Sequence, residues 1–198
     1  MLKVDMDEHV ALFLRSVYMN SAPEERSASL YEAMNEYGFL ARKTKLQNII
    51  DSLDTVLPDF DTFLADWIEF LKKQSPMNAS ELLREAVFLK GGLSAISEFA
   101  RQYADKYPEA YIDWIAALEM EDDTDPVIQV AREGLSRIPQ DYTVRAEVAE
   151  TISRIGEKLN DNKLKLEGYR ESFYSNPSLG YLLDLYIIFY WRFSLKGK

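Results

Sequence analysis

The chain has 198 residues, enough for one domain or one helical array with a substantial core, and its 47% hydrophobic content excludes a disordered protein. A net charge of −10 argues against nonspecific affinity for nucleic acid or anionic lipid, which bind proteins mainly through Lys and Arg. With no cysteine, disulfides, thiolate zinc sites and cysteine nucleophiles are excluded, and a reducing cytoplasm is the expected setting.

In chain order, apolar periodicity predicts helices at 5–19, 23–37, 44–56, 59–74, 78–90, 93–106, 108–121, 126–138, 142–159, 162–175 and 178–194, with no alternating β-branched run and no Asn-Gly or Asp-Gly hairpin turn. The first helix opens with Asp5, Asp7 and Glu8, where a signal peptide needs positive charge. The second follows "SAPEE", in which Ser21 and Glu24 have the spacing of a capping box with Pro23 in the first turn. "ARKTK" (Ala41 to Lys45) is the densest basic stretch, and three charges in five residues read as a solvated helix start. Gly91-Gly92 separates two helices, since paired glycines weaken a helix and permit a left-handed turn. Asp125-Pro126 opens another helix, and Asn176-Pro177-Ser178 separates the last two. Short connections make neighbouring helices antiparallel.

Pro76, Pro108, Pro139 and Pro177 are spaced by 32, 31 and 38 residues, and each interval holds two predicted helices. A pair of that length cannot bury its apolar faces alone, so successive pairs stack. The last interval is lengthened by "RIGEKLNDN" (Arg154 to Asn162). The expected organisation is all-α: an N-terminal helical segment at 1–75 packed on a repeat region at 76–198, in one continuous domain of ten or eleven helices.

In "YPEAYIDWIAALE" (Tyr107 to Glu119), Tyr111, Trp114 and Leu118 stand at helical spacing after a proline; Val127, Ala131, Gly134 and Leu135 follow in the next helix, and Pro139 closes the unit. Residues 108–141 thereby resemble a degenerate tetratricopeptide repeat. The resemblance implies that Tyr111, Trp114, Leu118, Ala131, Gly134, Leu135 and Pro139 form the repeat core, and that antiparallel pairs stack as an α-α superhelix. Ile115 departs from the family's small residue at that position, which implies a wider helix crossing. The next unit matches more loosely, with Val148, Ala149 and Ile152, then Tyr169, Phe173 and Pro177; the unit at 77–108 keeps only its length, glycine break and closing proline. "VRAEVAETI" and "NPSLGYLLDLY" are also similar to the helical region that follows the zinc finger in some bacterial and archaeal SWIM-type proteins. That finger needs Cys ligands, so nothing of its metal function carries over.

No residue pattern singles out a reaction. His9, the only histidine, has no motif around it, and Gly91-Gly92 lacks the spacing and preceding strand of a nucleotide-binding loop. "EMEDDTD" (Glu119 to Asp125) offers alternating oxygens, but a calcium loop begun at Glu121 meets Pro126 where Gly is required and Arg132 where Glu is required. Pairs such as Asp59 with Asp61, or Asp66 with Glu69, carry no sign of the burial that would separate their pKa values. No catalytic, cofactor-binding or metal-binding residue is assigned, and no cofactor is expected. Glu109 and Asp113 stand where tetratricopeptide carboxylate clamps use cations, so a basic or apolar partner segment suits that face better.

"YLLDLYIIFYWRFSL" (Tyr181 to Leu195) has twelve apolar or aromatic residues in fifteen, which implies burial on two sides. At fifteen residues, with Asp184 and Arg192 inside, it is too short and too charged to cross a bilayer. One face is expected on the helix at 162–175. The other is expected beneath the N-terminal helices or a second subunit, with a homodimer through Tyr186, Phe189 and Tyr190 preferred. The expected role is a non-enzymatic, cytoplasmic protein-interaction or scaffold module, with no direct nucleic-acid or membrane binding. The alternative is an auxiliary helical module of a SWIM-type nucleic-acid-associated system.

Overall fold

A computed structural model describes residues 6–36, 44–121 and 123–194. Among them the protein is all-helical, with ten helices and no strand: α1 (Met6–Asn20), α2 (Arg26–Glu36), α3 (Leu46–Asp51), α4 (Phe60–Leu71), α5 (Pro76–Gln102), α6 (Ala110–Glu119), α7 (Thr124–Arg137), α8 (Val144–Lys158), α9 (Asn162–Ser175) and α10 (Leu179–Ser194). Among the described residues no helix is long and apolar enough to cross a membrane. Residues 41–43 of the basic stretch and Asp122 of the acidic run lie outside the described residues; Thr44 is buried and Lys45 precedes α3.

The chain divides into two compact units, Met1–Gly92 and Leu93–Lys198. The sequence reading sets its segment boundary at 75–76 within one continuous domain; the division between these two units falls inside α5, where Gly91 and Gly92 leave helical geometry and Gly92 adopts φ 57°, a conformation that costs a Cβ-bearing residue far more than glycine.

The first unit is built on aromatic rings and two buried cations, Arg15 and Arg26. Trp67 of α4 is fully buried, stacked on Phe70 at 5.9 Å and on Phe63 at 5.7 Å, with Tyr31 of α2 edge-on at 6.3 Å. Arg15 of α1 is 3% exposed, and its guanidinium donates to the carbonyls of Ile49 (3.1 Å) and Ile50 (3.0 Å) and to Thr55, closing the free end of α3. The other end of α3 is closed by Glu85, whose carboxylate accepts from the Leu46 N–H (2.9 Å) and the Gln47 N–H (3.1 Å). The Arg26 guanidinium lies 4.3 Å above the Tyr18 ring, and the Tyr18 hydroxyl donates to the Pro58 carbonyl at 2.7 Å.

Two helix starts differ from the sequence expectation. Ser21 does not cap α2: its hydroxyl turns back to the Val17 carbonyl at 2.7 Å, and α2 begins only at Arg26. At α7 the cap is Asp123, which accepts from the Asp125 N–H at 3.1 Å, so Asp125 is already inside the first turn. In both places a nearby acceptor or donor satisfies the backbone sooner than the predicted residue could.

In the second unit, α7 packs on α6, α9 on α8, α8 on α7 and α10 on α9. The turn after α8 reverses at Asn160, φ 52°, and the Asp161 N–H reaches back to the Gly156 carbonyl at 2.8 Å, a left-handed helix stop of the kind Asn tolerates. Asp161 then caps α9 through the N–H groups of Lys163 and Leu164.

Candidate interaction surface

The surface begins with α6. Tyr111 and Trp114, one helical turn apart, both point into the unit, at 0% and 6% exposure. Ala131 and Gly134 of α7 are buried opposite them. A Cβ on Gly134 would stand 3.0 Å from the Tyr111 ring, so the missing side chain is what lets α7 approach α6. Leu118, Leu135 and Pro139 are half-buried at the margins of this contact, and Ile115 is buried. In the next pair Val148, Ala149 and Ile152 are fully buried, while Tyr169 and Phe173 are half-buried.

A charged cluster seals the edge of the first pair. Glu133 accepts from Arg101 at 2.8 and 3.0 Å, from the Tyr111 hydroxyl at 3.2 Å and from Arg137 at 3.1 Å. The Arg101 guanidinium lies 4.5 Å above the Trp114 ring. The hydrogen bond from Arg101 holds the Glu133 carboxyl below its ordinary value, and burial opposes this only partly. Burial, reinforced by the negative charge of Glu133, pushes the Tyr111 hydroxyl far above its ordinary value. The carboxylate therefore stays ionised and the phenol stays protonated across neutral pH. Such a pair fixes structure and is not poised to exchange a proton.

Contacts like these recur at nearly constant separation. Arg101 and Glu133 are 32 residues apart. Arg132 meets Glu167 at 2.7 Å across 35 residues, joining α7 to α9. Arg154 of α8 donates to Glu119 of α6, also 35 apart. The Tyr142 hydroxyl donates to the Asp105 carbonyl at 2.8 Å across 37, and the Tyr181 hydroxyl donates to Glu150 across 31.

Three residues of this unit escaped the sequence reading. Gly168, buried in α9, has no room for a Cβ, which would stand 2.3 Å from the Ser153 backbone nitrogen. It follows Gly134 by 34 residues, and that interval was the available sign. Gly156 matches it from α8, where a Cβ would meet the Lys165 nitrogen at 2.6 Å. Arg145, 7% exposed, donates to the carbonyls of Ile138 (2.6 Å) and Leu135 at the end of α7. Nothing local announces it, because arginine is usually exposed and its partners are set by the turn.

The last helix carries the exposed part of the surface. Tyr186 and Phe189 are 64% and 44% exposed; the Tyr190 side chain lies outside the described residues. Leu179, Leu182, Leu183 and Ile187 are exposed beside them. A cleft of about 440 Å³ between the end of α8, α9 and α10 is lined by Glu157, Lys165, Tyr169, Asp184 and Ile187. There Tyr169 donates its hydroxyl to Glu157, and burial raises it well above the ordinary tyrosine value.

His9 is exposed on α1. In the acidic turn, Glu119 is paired with Arg154 and Asp123 caps α7. Glu69 is paired with Lys72 at 2.7 Å, and among the described residues no group of three His, Asp or Glu side chains is arranged to hold a metal ion. No family model, curated protein or solved structure matches the chain.

Proposed function

We propose that residues 93–194 are a tetratricopeptide-like array of antiparallel helix pairs, and that the protein is a non-enzymatic scaffold that binds another protein. The observation that carries this reading is the set of hydrogen bonds and ion pairs spanning 31 to 37 residues. In a stacked array each residue meets its counterpart one repeat away, so contacts between alternate helices gather at one repeat length. Glycines 34 residues apart at two helix crossings support the same register. The non-enzymatic part is supported by the titratable groups: Glu133, Tyr111, Tyr169 and Tyr181 are each tied to a structural partner.

Purification of the tagged protein from its native cells, with photo-crosslinkers placed along 93–194, tests this. The expected result is one polypeptide in near-stoichiometric yield, crosslinked through that segment. Recovery of the chain alone, or crosslinks confined to 6–92, would overturn it.

A further inference from the structure

We draw no further inference here: the strongest candidate, the exposed apolar face of α10 around Leu182, Leu183 and Ile187, carries nothing because nothing in the structure shows what covers it.

Discussion

The two units hold their helices together in different ways. Residues 6–92 rely on contacts made once: the Tyr31–Trp67–Phe70 cluster, Arg15 closing one end of α3 and Glu85 closing the other. Residues 93–194 use a few devices more than once, a glycine at a helix crossing and an Arg–Glu pair spanning 32 or 35 residues. The comparison teaches where damage should travel. A contact made once has no substitute, whereas a stack of the kind proposed for residues 93–194 would lose one interface and keep its neighbours, because stability in a stack is close to a sum of nearest-neighbour terms.

Core aromatics give the largest effects. Trp67→Ala removes a fully buried ring that touches three others, and Trp114→Ala removes one that is 6% exposed and roofed by Arg101. Each should cost about 3–5 kcal/mol. Denaturant melts followed by amide exchange sharpen the comparison. Trp67→Ala should raise exchange throughout α1, α2 and α4. Trp114→Ala should raise it mainly in α6 and α7, leaving α9 protected, and uniform loss across 93–194 would mean that the unit is not a stack.

The glycine at the tighter crossing comes next. Gly168→Ala puts a Cβ against the backbone of α8, which cannot turn aside, so destabilisation of about 1–3 kcal/mol is expected. Gly134→Ala meets a ring edge at 3.0 Å that can yield by a few tenths of an ångström, and its cost should be smaller. A reversed order in thermal melts would break the argument that backbone contact sets the difference.

Buried arginines test both units with one substitution. Arg15→Met and Arg145→Met each leave helix-terminal carbonyls in buried surroundings without a donor. The penalty for such groups is about 1–3 kcal/mol. Equal losses in chemical denaturation are expected, since the device is the same in the two settings.

These examples also mark what the sequence could convey. Helix positions were legible because Pro and Gly act within a few residues: Gly92 broke α5 where expected. Tyr111, Trp114, Ala131 and Gly134 were legible as a packed set because helical spacing brings them to facing surfaces. Ser21 was misjudged because the Val17 carbonyl competes for its hydroxyl. Arg15 reaches partners 34 to 40 residues away, set by how α3 lies, and no local pattern encodes that. Gly168 escaped the sequence reading because its reason lies in another helix: contact with Ser153 of α8 leaves no room for a Cβ.

The smallest expected effect, acid response, separates the units by sign. Burial raises the Glu85 carboxyl above its ordinary 4.5, although its bonds to the Leu46 and Gln47 N–H groups oppose this. Folding therefore favours the protonated form, and the associated stability is present below about pH 4.5 and lost as pH rises through the higher folded value. Glu133 is the reverse: the Arg101 hydrogen bond lowers it, so its contribution is present above about pH 4.5 and lost as pH falls through the lower folded value. Glu133 is a quarter exposed, so solvent screening keeps its contribution small. Between pH 7 and pH 3, α7 should lose exchange protection and Glu133→Gln should blunt the loss, whereas Glu85→Gln should reduce the pH dependence at α3 in the opposite direction. Parallel acid responses at α3 and α7 would break the comparison, because the two carboxylates would then share one environment where the fold gives them two.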